Sequence, residues 1–165
     1  MMRPHRLIDG NPVVRAIRRA ALLSEADVLM QKVAIEAALS GLLGGGANAA
    51  GHWASLADAA NMAETLESMG IGSGEEMRNA IADAQESLAW MAQERRERGT
   101  WALRHEERQE VEARLQWLRT LHVFQLQVCS YGEFEQAYRR TEDRVRQARA
   151  GNAPKGAIVI EGQLG

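Results

Sequence analysis

One stretch of the chain begins like the zinc-binding motif of a metallopeptidase. Residues 105–108 read His-Glu-Glu-Arg, and the H-E-x-x-H motif needs a second histidine four positions after the first, on the same helix face. Position 109 is glutamine. The other histidines, His5, His52 and His122, are scattered along the chain. We therefore expect no zinc site, and we interpret these histidines as surface or packing residues.

Other catalytic patterns are also incomplete. The glycine-rich segments 41–46 and 70–74 lack the G-K-[ST] of a phosphate-binding loop, and neither follows a strand, so we interpret both as linkers. Cys129 is the single cysteine, which excludes an intrachain disulfide and a zinc site built on several thiolates. It could be a reactive thiol, but no histidine is its neighbour in sequence. We expect a protein that is not an enzyme and needs no cofactor.

Arginines are the best candidates for contacts with nucleic-acid phosphates. Residues 1–23 carry five arginines and one aspartate, whereas residues 24–74 carry six acidic residues and one lysine. The overall charge of -2 and pI near 6.1 do not favour nonspecific DNA binding. In the last helix, i, i+4 pairs such as Glu135–Arg139 are equally typical of an ordinary solvated helix. The candidate contacts are Arg15, Arg18, Arg19, Arg139, Arg140 and Arg144.

The end of the chain contains the one strand-like run. Residues 157–160 read Ala-Ile-Val-Ile. Ile158, Val159 and Ile160 could contact a partner by adding a strand to its sheet edge. The run could equally fold back on its own domain or stay disordered, and the sequence leaves these alternatives open.

The longest helical patterns predict an antiparallel hairpin over about residues 75–128. Apolar residues follow at steps of four and three from Met77 to Met91. A capping box is predicted at Ser73 and Glu76, and Gly99 is expected to end this helix. The second helix is predicted to restart at Trp101, which leaves a two-residue connection. The predicted core anchors are Trp53, Trp117, Leu121 and Phe124.

Further helices are predicted on either side of the hairpin. Asn11-Pro12 resembles a helix cap followed by proline at the first helical position. We favour a break at Ser24 over one continuous helix across residues 12–43, although a seven-residue apolar repeat supports the latter. Another helix is expected from about 49–55 to Met69. The last is expected to start at a capping box of Ser130 and Glu133 and to end before Gly151.

These patterns together predict an all-α, single-domain helical bundle of five or six helices. Residues 1–11 would form a basic irregular arm, residues 12–150 the helical domain, and residues 151–165 a flexible tail. A chain of 165 residues is long enough for its own core. We expect neither a membrane span nor a signal peptide, and the single cysteine favours a cytoplasmic location.

Four segments resemble a group of small helical proteins encoded by proteobacterial phages, plasmids and integrated elements, some labelled Fis-type transcriptional regulators. The segments are residues 52–63 (HWASLADAANMA), 70–72 (GIG), 99–103 (GTWAL) and 121–126 (LHVFQL). The resemblance extends over roughly residues 24–140. It implies a role in a mobile genetic element, and it supplies no catalytic residue.

Two functions follow as expectations. The first is a regulatory or inhibitory adaptor that acts by binding a host protein, a defence complex or a second copy of itself, because the helix faces are wide and apolar. The second is a dimeric DNA-binding regulator that uses the arginines of the N-terminal and C-terminal helices.

Overall fold

The computed structural model describes residues 11–152, which form six α-helices. The predicted all-α bundle is confirmed. Within this range the chain forms no strand beyond an isolated antiparallel bridge between Leu22 and Ser130. The strand-like residues Ile158, Val159 and Ile160 lie outside the described part of the chain, as does the arm before Asn11. The helices are α1 (Pro12–Ala20), α2 (Glu25–Leu43), α3 (Ala49–Ser68), α4 (Glu75–Arg98), α5 (His105–Gln127) and α6 (Tyr131–Arg149).

Polar caps start three of the helices at the predicted places. The side chain of Asn11 accepts a hydrogen bond from the Val13 amide at 2.9 Å. Ser24 accepts one from the Asp27 amide at 3.1 Å, so the break between α1 and α2 is confirmed. Ser130 and Glu133 form the predicted reciprocal capping box of α6. These side chains satisfy amide groups that a helix leaves without an internal partner.

Two local predictions are wrong at the start of α4 and inside α2. The cap of α4 is Gly74 without a side-chain hydrogen bond, so Ser73 and Glu76 form no capping box. The predicted linker 41–46 starts later than expected, because α2 continues past Gly41 to Leu43. A β-carbon at Gly41 would lie 2.2 Å from the His52 ring, so the glycine allows α3 to pack closely against α2.

The hairpin is present as the neighbouring helices α4 and α5, but its connection is longer than predicted. Gly99 ends α4 in the left-handed conformation, as expected. α5 begins only at His105, so six residues (99–104) connect the two helices instead of two. The reason is tertiary packing: Trp101 and Leu103 turn inward against the core, and the Trp101 ring lies 5.9 Å from that of Trp53.

Helices α2, α3, α4 and α5 form a closed four-helix bundle, since each packs against the next and α5 packs back against α2. Short connections make successive helices antiparallel. α6 packs on the outer side of α3, and α1 packs on α6. α3 therefore has neighbours on three sides. Its buried residues are Ala49, Trp53, Leu56, Ala57, Ala60, Asn61, Met62, Ala63, Thr65 and Leu66.

The core confirms Trp53 as an anchor and corrects two other assignments. Trp53 is 1% exposed, and its indole N–H donates to the Leu88 carbonyl at 2.9 Å. Trp117 and Phe124 are instead 45% and 61% exposed, and Leu121 is only partly buried. At about 100° per residue, Trp117 and Phe124 lie roughly 130–150° from the centre of the buried stripe. That stripe consists of Val111, Leu115, Leu118, His122, Gln125 and Leu126.

Candidate functional site

Exposed apolar side chains are concentrated on the first two helices. The described residues include eleven large hydrophobic side chains that are exposed, and seven of them lie between positions 13 and 33. Exposed large apolar side chains in such number favour a role in binding a partner. We call these seven residues the α1–α2 apolar surface: Val13, Val14, Ile17, Leu22, Leu29, Met30 and Val33.

α1 is amphipathic, and its apolar side is not buried by any described residue. Val13 and Ile17 are 65% and 67% exposed, and the helix has no buried residue. One end of α1 is nevertheless held close to α6, because a β-carbon at Gly132 would lie 3.1 Å from the Arg19 carbonyl oxygen. The helix is therefore positioned by the fold while Val13 and Ile17 face outward.

α2 is apolar on two sides, and the bundle covers only one of them. Val28, Ile35, Leu39 and Leu42 lie in the interior. Leu29, Met30 and Val33 lie on the other side of the helix and are 52–63% exposed. The apolar side of a helix in a soluble protein usually packs against a neighbouring element. Within the described residues, no helix packs over Leu29, Met30 and Val33 on the outer side of α2.

The predicted nucleic-acid residues do not share one environment. Arg15, Arg18 and Arg19 are exposed on α1, and Arg140 is exposed on α6. Arg144 differs, because its guanidinium donates to Glu64 at 2.7 Å and to the Thr65 hydroxyl at 3.1 Å. These bonds fix α6 against α3 and make Arg144 a structural residue. Arg139 pairs with Glu135 one turn away, as the spacing suggests.

A second feature is a cleft of about 720 Å³ between α2, α3 and α6. Its wall on α6 is apolar and aromatic, with Phe134, Tyr138 and Val145, and its rim carries charged groups of both signs. Its size falls within the range of small-molecule sites. The lining residues are Gln31, Ala34, Ile35, Ser55, Asp58, Ala59, Met62, His122, Phe134, Tyr138, Thr141, Glu142, Val145, Arg146 and Arg149.

His122 belongs to a buried polar network beside this cleft. It is 3% exposed, and its Nδ1 lies 2.8 Å from the Gln125 side-chain oxygen. The Gln125 amide nitrogen donates to the carbonyls of Ala63 and Ile71, both at 3.0 Å. Gly72 makes room for this arrangement, because a β-carbon there would lie 3.0 Å from Gln125. The loop 70–74 is thus fixed to α5 by Gln125 rather than acting as a free linker.

The network determines the protonation of His122. Both Gln125 N–H groups are used by carbonyls, so its oxygen must accept, and the proton of His122 lies on Nδ1. Burial lowers the pKa of His122, and the hydrogen bond to Gln125 opposes this effect only in part. The ring is therefore neutral at pH 7, and its Nε2 is a hydrogen-bond acceptor. Sequence analysis interpreted His122 only as a surface or packing residue and missed its partner Gln125, although the i, i+3 spacing was a usable signal.

The Cys129 thiol, the other candidate reactive group, is made unreactive by its surroundings. Cys129 is buried, its Sγ donates to the Ser130 carbonyl at 3.3 Å, and burial raises the pKa of the thiol to about 11. It is therefore protonated and a poor nucleophile at neutral pH. Residues 11–152 contain no group of three or more metal-ligating side chains in a suitable arrangement. No helix in that range is long and apolar enough to cross a membrane.

The comparisons with known proteins provide no relative: protein-family models, curated proteins and solved structures each give no match. Functional inference therefore depends on the geometry of the α1–α2 apolar surface and of the cleft.

Proposed function

We propose that the protein is a non-enzymatic interaction protein that pairs with a second copy of itself through the α1–α2 apolar surface. The observation that carries this proposal is the concentration of seven exposed hydrophobic side chains within 21 residues. Burial of such side chains in an interface is favourable by roughly 25 cal/mol per Å² of apolar surface.

The spacing of the apolar residues on α1 and α2 supports a two-fold pair. Such an interface needs a patch that is complementary to itself. The patch here offers two helices whose apolar residues recur at steps of three and four, the spacing that allows helices to interlock. In a reciprocal arrangement, Val13 and Ile17 of one copy would pack on Leu29 and Val33 of the other.

The charges of the two helices support the same arrangement. α1 contains three arginines and no acidic residue, whereas the first turn of α2 contains Glu25 and Asp27. Packing α1 of one copy across α2 of the other would bring opposite charges together around an apolar centre. Complementary charge of this kind favours correct register and faster association.

We further propose that the dimer acts as a regulatory or inhibitory adaptor of a mobile genetic element, as the sequence led us to expect. Arg15 and Arg19 are spaced to lie on the side of α1 opposite Val13 and Ile17, whereas Arg18 follows Val14 by one turn and lies at the edge of the apolar surface. Pairing would therefore leave Arg15 and Arg19 outside the interface, which is compatible with the alternative of a dimeric DNA-binding regulator.

Sedimentation equilibrium over a range of concentrations tests the proposal. The wild-type chain of 18.2 kDa is expected to sediment with twice that mass. The double variant Leu29→Glu/Val33→Glu is expected to be monomeric with an unchanged helical circular dichroism spectrum, because buried unpaired carboxylates oppose association.

The matched control is Trp117→Glu/Phe124→Glu, which places the same charges at exposed apolar positions on α5. This control is expected to remain dimeric. A wild-type protein that stays monomeric up to about 100 µM would contradict the proposal, since specific interfaces of ordinary size bind more tightly than this. Loss of the dimer in the control but not in the α2 variant would place the interface elsewhere.

A further inference from the structure

We infer that the cleft between α2, α3 and α6 binds a small, uncharged aromatic molecule that donates a hydrogen bond to Nε2 of His122. This inference is independent of the proposed dimer, because it concerns a different group of side chains.

The second ring nitrogen of His122 is the first observation. Nδ1 is engaged by Gln125, and His122 lines the cleft. Nε2 is therefore the ring nitrogen left for a ligand that enters the cleft. A neutral imidazole with Nδ1 protonated offers one acceptor there and no donor.

The rest of the lining indicates an apolar, flat ligand. Ile35 and Met62 are 8% exposed and lie deep in the cleft, and Phe134, Tyr138 and Val145 form one wall. Small-molecule sites typically combine such walls with a few polar groups that fix orientation. A ring that stacks near Phe134 and Tyr138 would gain the geometry that aromatic pairs prefer.

The charges at the rim argue for a neutral ligand. Asp58 and Glu142 line the same opening as Arg146 and Arg149, so two carboxylates are balanced by two guanidinium groups. Arg149 acts electrostatically on Asp58, which is the pairing expected across a mixed rim. The entrance therefore favours neither a cationic nor an anionic ligand. At the floor of the cleft, Nε2 of His122 is an uncharged hydrogen-bond acceptor.

Indole is a suitable probe, because it is flat and neutral and has one N–H donor. Titration of the full chain with indole, followed by two-dimensional NMR, is expected to give saturable shifts at Phe134 and Tyr138 and at the His122 ring nitrogens. For a ligand of this size a Kd on the order of 1 mM is expected. 1-Methylindole lacks the donor and should bind roughly 3- to 10-fold more weakly.

Two variants separate the hydrogen bond from the shape of the cleft. His122→Asn keeps a donor where Nδ1 meets Gln125 but removes the acceptor at Nε2, so both probes should bind this variant equally. Ala34→Phe adds a ring at an exposed position that lines the cleft, and it should abolish indole binding. The control Ala113→Phe changes an exposed alanine on α5 outside the cleft and should bind indole like the wild type.

Three results would overturn the inference: no saturable shift at ten times the expected Kd, equal affinity of the wild type for indole and 1-methylindole, or unchanged indole binding by Ala34→Phe. If His122→Asn fails to fold, the Ala34→Phe and Ala113→Phe pair still decides whether the cleft is the site.

Discussion

Helix α3 and the outer side of α2 are both rich in apolar residues, yet the fold treats them differently. α3 has α2, α4 and α6 as neighbours, and ten of its twenty residues are buried. On the outer side of α2, Leu29 and Met30 are 57% and 63% exposed. The comparison shows that apolar spacing specifies which residues share a side of a helix, whereas the arrangement of neighbouring helices specifies which side is covered.

The largest loss of stability is expected from a substitution at Trp53, which is almost completely buried. Trp53→Ala should lower the free energy of unfolding by about 3–5 kcal/mol, because it leaves a large cavity and removes the hydrogen bond to the Leu88 carbonyl. Urea denaturation followed by circular dichroism measures this loss. Trp117→Ala is the matched control on the exposed side of α5, and its loss should be below about 1 kcal/mol. Equal losses of unfolding free energy in the two variants would contradict the assignment of Trp53 as buried and Trp117 as exposed.

A smaller, pH-dependent effect is expected from His122, the buried polar residue near α3. Its pKa is lower in the folded protein than the ordinary 6.5, so the unfolded chain binds a proton more readily. The stability contributed by the neutral His122 ring is complete above pH 6.5 and is lost as the pH falls from 6.5 towards the pKa of the folded state. In that range the free energy of unfolding should fall by at most about 1.4 kcal/mol per pH unit.

Urea denaturation of the wild type and of His122→Asn between pH 7.5 and 5 checks this dependence. The difference in unfolding free energy between the two proteins should narrow as the pH falls, because asparagine does not titrate. A constant difference over that range would mean that His122 has the same pKa in both states.

The smallest effect is expected at Phe124, which the sequence placed in the core and the structure places outside. Phe124→Ala should change the free energy of unfolding by no more than about 0.5 kcal/mol, as for surface substitutions without a specific contact. The same urea experiment measures it. A loss above about 2 kcal/mol would show that this side of α5 is covered in solution and would extend the set of buried apolar surfaces beyond the bundle.

The sequence predicted the local features well because their causes are local. Asn11, Ser24 and Ser130 cap helices through side chains that reach amide groups two or three residues away, and Gly99 ends α4 because it accepts a positive φ. The functional residues were less predictable. The acceptor role of His122 depends on Gln125, whose own hydrogen bonds reach Ala63 and Ile71, more than fifty positions away.

The sequence by itself determined that the described chain is helical, where most helices begin and end, and that no complete catalytic motif is present. These properties depend on spacing, capping and residue type within a few turns of helix. The tertiary structure alone decided that Trp53 is buried while Trp117 and Phe124 are exposed, that residues 99–104 form a longer connection, and that His122 faces a cleft. Each of these depends on which helices become neighbours, and α5 packs against α2 although about sixty residues separate them.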